Sequence, residues 1–221
     1  VSDYNYSSIS VTAINKNKSG KIKVNTRAFL QYGRGSNWAK ESLLGLAGSN
    51  PEELYNNKFT RTNGIFNSND FNFTHELGNY HSGGGLNLRG YAGYLAPEYD
   101  KNGILIRNTN YGKSGASLST EVDFTSILPY TLRRSGIGSY LFADAGVINI
   151  DDINRKNYTT AMSDIRADAG IGFIYTHRNW GPLERPKPLV IRLDLPLFLN
   201  RPPYLEEYYQ IRWILGIGKS F

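Results

Sequence analysis

The chain has 221 residues, a mean hydropathy of −0.43 and no run near the ~20 apolar residues that a membrane-spanning helix needs, which excludes a helical membrane protein. With 16 Tyr, 23 Gly and no Cys, the composition leaves a soluble domain or a β-barrel, whose strands turn only alternate side chains to lipid. The formal charge is +6, yet Lys and Arg are scattered mostly singly, so no nucleic-acid partner is expected. Residues 1–5 carry no signal region, and we expect a mature chain or the tail of a longer one.

Two strands are predicted in residues 1–33. The segments 8–16 and 21–33 each place apolar side chains on one face and polar side chains on the other, at a spacing of two residues. The intervening Asn17-Lys18-Ser19-Gly20 is typical of a turn. The beginning of the chain is therefore expected to form a β-hairpin.

A long irregular region is predicted in residues 34–114. It contains a short helical segment, Pro51 to Tyr55, for which Asn50 is a suitable N-cap. It also contains the glycine-rich run from Gly83 to Tyr91. A connection of this length inside a compact domain is normally functional, and the sequence leaves the role of 34–82 open.

Five more alternating strands are predicted in residues 115–221. Their polar faces mix charges, as in Arg166 with Asp168 and Arg192 with Asp194, which suits a hydrated interior. A soluble β-sandwich also alternates, but its strands are usually only about five or six residues long. The predicted segments are 115–125, 138–148, 164–176, 188–198 and 210–221.

These observations predict an all-β fold, namely a transmembrane antiparallel β-barrel with seven recognisable strands. Seven strands cannot close a bacterial single-chain barrel, because such barrels have even strand numbers from about eight upward. Either an eighth strand lies in the long connection, or the chain is a sector of a larger barrel.

The sequence contains no complete motif for catalysis or metal binding. The segment from His75 to His81 is similar to a zinc-protease helix, but that motif needs a second His four residues after the first, and position 79 is Asn. Gly112-Lys113-Ser114 lacks the upstream Gly of a phosphate loop, and no G-x-S-x-G elbow occurs. We therefore expect no catalytic residue, no metal, no cofactor and no enzyme activity in this chain.

The constellation that we favour is an arginine in the long connection with carboxylates on inward strand faces. Arg89 is the arginine, and Asp144 and Glu121 are its candidate partners. Charge-assisted bidentate bonds could then hold the connection inside the barrel. The alternative is an exposed loop arginine without a fixed partner.

Four motifs follow one another in residues 85–221, and their order is informative. They are Leu88-Arg89-Gly90-Tyr91, Phe142-Ala143-Asp144-Ala145-Gly146, Arg166 to Gly172 with Gly181-Pro182-Leu183, and Gly218-Lys219-Ser220-Phe221. In this order they resemble loop six, an inward acidic strand, the penultimate hairpin and the closing strand of the BamA-like superfamily, the bacterial surface-antigen type of outer-membrane protein.

The resemblance implies a sixteen-stranded barrel of which this chain, 1–221, holds the last seven strands. Residues 1–33 would be two strands, 34–114 an enlarged loop six, and 115–221 the last five strands. The implied loop–lumen clamp comprises Arg89, Gly90, Tyr91, Glu121 and Asp144. The implied closing strand and assembly signal comprise Trp213, Gly216, Gly218 and Phe221, with the two glycines loosening a weak seam.

The resemblance further implies a role in inserting or translocating proteins at the outer membrane of a Gram-negative bacterium. The implied partners are outer-membrane lipid, the remaining barrel strands from the same precursor or another chain, client proteins and assembly lipoproteins. A passive barrel that anchors or secretes an upstream lipase, phosphoesterase or peptidase is the alternative. A simple channel is disfavoured because the long loop would plug the lumen.

Overall fold

Alternating side chains build most of this chain into β-structure. The computed structural model describes residues 3–56, 80–92, 96–99, 105–108, 110–150, 161–177, 188–202 and 207–218. The main sheet is curled and mostly antiparallel, with the shape of a half-barrel. No helix in the described part of the chain is long and apolar enough to cross a membrane.

The secondary-structure elements are many but mostly short outside the main strands. In chain order, the strands are β1 (Asn5–Ser19), β2 (Ile22–Asn37), β3 (Leu44–Gly45), β4 (Tyr80–His81), β5 (Pro97–Tyr99), β6 (Leu105–Asn108), β7 (Tyr111–Gly112), β8 (Gly115–Asp123), β9 (Ile137–Ile150), β10 (Ala161–Met162), β11 (Arg166–His177), β12 (Leu189–Leu199) and β13 (Ile214–Ile217). The helices are α1 (Pro51–Asn56) and α2 (Tyr130–Arg134), with single 3-10 turns at Lys40–Ser42, Arg89–Tyr91 and Thr125–Ile127.

The main sheet follows the chain order that the sequence predicts. Its path is β1-β2-β8-β9-β11-β12-β13, with each neighbouring pair antiparallel, and the short strand β10 pairs with the end of β9. The β-rich, mostly antiparallel character of the predicted fold is thus confirmed. Beyond β13 the path ends with β4, a two-residue strand from the long connection that runs parallel to it. In the described residues this extra strand does not join β13 to β1.

Two predicted boundaries were wrong. The first turn is not Asn17 to Gly20: Ser19 already pairs with Ile22, and Gly20 takes a positive φ of 60° in the two-residue link. Such tight hairpin links need positive φ, which glycine adopts without strain. Period-two alternation alone does not determine where that link lies.

The last strand is also shorter than predicted. Of the segment 210–221, only Ile214–Ile217 is a strand, and 219–221 lies outside the described residues. Pairing with β12 ends at Asp194, two residues before Pro196. Proline has no backbone N–H to donate to a neighbouring strand, which disfavours continued pairing there.

The two faces of the main sheet have inverted polarity. The outer face exposes apolar side chains to a large extent, for example 67% of Ile9 and 52% of Leu118. The inner face, on which the long connection packs, buries charged and polar side chains. These buried residues are Arg27, Ser117, Ser119, Asp144, Arg166, Asp168, Arg192 and Asp194.

The described parts of the long connection contain more regular structure than the sequence predicted. It contains α1, the β3–β7 pair and the β5–β6 pair. It also packs an apolar cluster against the inner face, so the interior is not hydrated throughout as the strand pattern suggested. The cluster comprises Phe29, Leu44, Leu46, Leu86, Leu88, Tyr91, Ala96, Ile148 and Leu199.

The predicted helix is present at α1, with its predicted cap. The Asn50 side-chain oxygen accepts a hydrogen bond from the backbone N–H of Glu53 at 2.8 Å. The Glu53 carboxylate in turn accepts the backbone N–H of Asn50 at 3.0 Å. This reciprocal capping box satisfies two backbone donors that a short helix cannot pair internally.

Candidate functional site

Two residues with left-handed backbone conformation precede Arg89 and direct the chain toward the inner face of the sheet. Gly85 and Asn87 have φ values of 50° and 62°, and they lie just before the 3-10 turn Arg89–Tyr91. A Cβ at Gly85 would lie 2.5 Å from the carbonyl oxygen of Gly45, so only glycine fits there. The glycine-rich run therefore lets the connection pass close to itself and then turn toward the sheet.

Arg89 contacts both carboxylates that the sequence singles out. Its Nε and Nη2 donate to the two oxygens of Asp144 at 2.8 and 2.9 Å. Its Nη1 donates to Oε1 of Glu121 at 2.6 Å. The paired fork of the guanidinium on one carboxylate fixes orientation as well as distance. The structure thus brings together the three charged residues of the predicted clamp.

The burial of this cluster defines its electrostatics. The side chains of Arg89 and Asp144 are fully buried, and that of Glu121 is 13% exposed. Burial by itself acts to lower the pKa of the Arg89 guanidinium, but Asp144 and Glu121 together hold that pKa well above its usual value. Arg89 is therefore a permanent buried cation, compensated by two carboxylates and by the ring of Phe142, 4.2 Å away.

Glu121 and Asp144 meet because of strand register. On the inner face, Ser119 pairs with Asp144 and Glu121 pairs with Phe142, so the two carboxylates occupy diagonal positions on β8 and β9. Diagonal side chains on one face of a sheet are within reach of a long side chain. The alternation of side chains predicts that both residues face inward. The register of β8 against β9 then brings their carboxylates close together.

Gly90 and Tyr91 fit the loop tightly against β11 and β12. A Cβ at Gly90 would lie 2.5 Å from the Cβ of Asp168, so the backbone approaches the strand at a distance that only glycine permits. The Tyr91 hydroxyl donates to Oδ1 of Asn200 at 3.0 Å, and its ring faces the Arg166 guanidinium at 5.5 Å. Asn200 was not singled out from the sequence, which offers no motif around it.

Three arginines on the inner face of the sheet also bind the connection. Arg27 Nη2 donates to the carbonyl oxygen of Gly85 at 2.8 Å. Arg166 Nη2 donates to the carbonyl oxygen of Ala96 at 3.2 Å, and Arg192 Nη2 lies 2.6 Å from Nδ1 of His81. Sequence reasoning did not select these arginines as loop contacts. The sequence feature that could have identified them is their position on the polar, inward face of alternating strands.

No protein-family model, curated protein or solved structure matches this chain. The site must therefore be interpreted from its own geometry.

Aromatic residues on β9 cover glycines on β11 beside the clamp. Tyr140 lies directly over Gly172, and a Cβ at Gly170 would lie 2.8 Å from the Phe142 ring. An aromatic ring over a strand glycine shields backbone that would otherwise lack side-chain cover. The Tyr140 hydroxyl also donates to Asp194, which forms an ion pair with Arg192 at 2.7 Å. These contacts extend the polar cluster across the sheet to β12.

The structure describes three of the four predicted closing-strand residues, and Phe221 lies outside the described residues. Trp213 is 52% exposed on the outer side. Gly218 has a φ of 93°, and its backbone N–H donates to the carbonyl oxygen of Val190 at 2.8 Å. Gly216 lies against the inward-facing arginine of β12. A Cβ there would lie 2.6 Å from Arg192 Nη2, so the glycine makes room for the arginine.

The arrangement is suited to holding chain segments together. It consists of interlocked ion pairs and carbonyl contacts between the long connection and the inner face. Within the described residues, no group of three or more His, Cys, Asp or Glu side chains could hold a metal ion.

Proposed function

We propose that this chain is the C-terminal sector of a BamA-like outer-membrane β-barrel that takes part in inserting or translocating proteins. In this proposal the outer face of the sheet meets lipid, and the clamped connection acts as loop six within the lumen. The remaining strands come from the same precursor or from another chain. The location is the outer membrane of a Gram-negative bacterium.

The inverted polarity of the sheet is the observation that carries this proposal. Soluble monomers rarely expose contiguous apolar patches larger than a few hundred Å². Here the apolar side chains exposed on the strands of the outer face include Ile9, Val11, Leu30, Tyr32, Leu118, Leu141, Phe173, Tyr175, Ile191 and Leu193. Each such side chain gains roughly 1.5–3 kcal/mol on full transfer from water to an apolar medium. A lipid environment therefore suits this face, while Arg89 and Arg192 on the inner side form ion pairs with carboxylates.

The arginine clamp supports the specific superfamily within the barrel class. The resemblance implies that the loop arginine docks on inward acidic residues of later strands. Arg89 contacts Asp144 and Glu121 in that manner. A barrel of unrelated type has no general need for an arginine from a long loop at this place.

A passive anchor for an upstream enzyme is a second candidate, and one observation favours it. An apolar cluster that includes Leu86, Leu88 and Ile148 packs between the connection and the inner face of the sheet. An anchor needs no passage through that part of the interior. The two candidates differ in a measurable activity. The assembly role predicts that vesicles containing the full-length protein accelerate insertion of an unfolded test barrel, whereas the anchor predicts the rate of empty vesicles.

Lipid contact can be tested with Trp213, which is exposed on the outer side. We expect lipids brominated at defined acyl positions to quench the fluorescence of the full-length protein in vesicles. The Trp213→Phe variant is the matched control, because the difference between the two signals isolates this residue from the chain's other tryptophans, Trp38 and Trp180. Equal quenching of both proteins at every bromine depth, together with solubility in the absence of detergent, would refute the membrane proposal.

A further inference from the structure

One edge of β13 pairs with β12, and its other edge is covered by a short piece of the long connection. Tyr80 pairs with Leu215 and His81 pairs with Gly216, in parallel. His81 is only 4% exposed, although it lies in a two-residue strand at the edge of the sheet. So short a ladder provides little stability by itself, and the His81 side chain must contribute to holding it.

The contact of His81 with Arg192 fixes the protonation state of the imidazole. Arg192 Nη2 lies 2.6 Å from Nδ1 of His81. A guanidinium has only donors, so Nδ1 must be the acceptor and cannot carry a proton. The imidazole is thus neutral, with its hydrogen on Nε2. Protonation of Nδ1 would remove the hydrogen bond and place two cations within hydrogen-bond distance.

The charged groups around His81 offer an imidazolium little compensation. On β12, Asp194 already pairs with Arg192 through one oxygen and accepts the Tyr140 hydroxyl of β9 through the other. On the connection, Arg89 is a second nearby cation, with its own carboxylates Glu121 and Asp144 engaged. Burial first, and then the positive charges of Arg192 and Arg89, lower the pKa of His81 well below its usual value.

We propose that Tyr80–His81 is an acid-released latch on the edge of β13, which protonation of His81 detaches so that the backbone of Leu215 and Gly216 can pair with another strand. The release of Tyr80–His81 from β13 depends only on contacts within this chain. The identity of the strand that then pairs with β13, from the barrel or from a client protein, rests on the proposed function. Arg192 of β12 would thus hold the latch through His81 as well as form its ion pair with Asp194.

Linkage gives the direction and size of the effect. The latched state holds His81 neutral, whereas a released His81 titrates with an ordinary pKa of about 6.5. The released state thus binds more protons, and the ratio of released to latched molecules rises as the pH falls. The rise approaches about tenfold for each pH unit below about 6.5, until the pKa of the latched state is reached.

Disulfide trapping can measure the latch directly, because the chain contains no cysteine. The variant pair Tyr80→Cys and Leu215→Cys joins partners across β4 and β13. The control pair Val11→Cys and Leu30→Cys joins partners across β1 and β2. Both pairs are placed in the full-length protein in detergent and oxidised at pH 8, 6.5, 5.5 and 4.5. The ratio of the two cross-linking rates cancels the pH dependence of thiol chemistry.

We expect that ratio to fall as the pH is lowered from 6.5 to 4.5, because the latched fraction decreases as the ratio of released to latched molecules rises. In the His81→Asn background it should stay constant, because the amide oxygen can still accept from Arg192 and does not titrate. A constant ratio with His81 present, or an equal fall with Asn at position 81, would overturn the latch. Absence of Trp213 quenching with a normal acid-dependent ratio would instead overturn membrane insertion, so the two failures are distinguishable.

Discussion

Replacement of Arg89 by Ala removes the cation at the centre of the candidate site. Asp144 would lose two side-chain hydrogen bonds, at 2.8 and 2.9 Å, and Glu121 would lose one at 2.6 Å. The side chain of Asp144 is fully buried, so its carboxylate would stay shielded from bulk solvent after the guanidinium is removed. The variant must therefore either bury an unpaired carboxylate or protonate it.

Both routes lead to a similar loss of stability. Breaking a buried ion pair by removing one partner destabilises a fold by about 3–5 kcal/mol. Protonating an ordinary aspartate with a pKa of about 3.9 at pH 7 costs about 4 kcal/mol, since each pKa unit corresponds to about 1.4 kcal/mol. We therefore expect the free energy of unfolding of Arg89→Ala to fall by about 3–4 kcal/mol. The folded fraction in heat-modifiable gel migration should fall with it.

The measurement is urea unfolding of the full-length protein in detergent micelles, followed by tryptophan fluorescence. Arg133→Ala is the matched control, because Arg133 is an exposed arginine of α2 and its loss should change the unfolding free energy by no more than about 0.5 kcal/mol. Adding Asp144→Asn to Arg89→Ala should cost little more than Arg89→Ala alone, since the buried charge is then gone. If Arg89→Ala matched Arg133→Ala, the clamp would contribute nothing to stability and the reasoning would fail.

Two further predictions concern residues beside the site and in the long connection. Gly172→Ala would drive a methyl group into the Tyr140 ring, so we expect the same unfolding measurement to show a loss of about 1–3 kcal/mol, and an unchanged midpoint would contradict this packing. Asn50→Ala would remove the side-chain cap of α1, which should cost about 1 kcal/mol locally and speed hydrogen exchange of the Glu53 amide. Glu52→Ala, on the exposed side of the same helix, should leave that exchange rate nearly unchanged.

Local patterns were sufficient to predict the seven main strands and the helix α1. Whether a side chain such as Asp144 or Arg192 faces inward depends only on period-two alternation, which the sequence displays directly. The cap of α1 depends on residues three positions apart, Asn50 and Glu53, and was likewise visible. Glu121, Asp144 and Arg89 could be grouped because a motif marked the arginine and alternation placed the acids.

Long-range placement of the connection could not be predicted in this way. The contacts of Arg27, Arg166 and Arg192 span 58, 70 and 111 residues along the chain, and each depends on where the connection lies inside the sheet. No local signal encodes the parallel pairing of β4 with β13. The late start of β13 at Ile214 likewise depends on its register against β12 and on the position of Pro196 in that register, which only the paired structure shows.

The charges of the loop and the sheet interlock in both directions. Arg89 of the connection reaches carboxylates of the sheet, while Arg27, Arg166 and Arg192 of the sheet reach the connection. Withdrawing the connection would leave buried groups of both signs without these partners, at a cost of about 1–3 kcal/mol for each unsatisfied group and more for charged groups. Loop and sheet must therefore fold as one unit, and any movement that serves function is best confined to a segment held by few contacts. The two-residue ladder at Tyr80–His81 is such a segment.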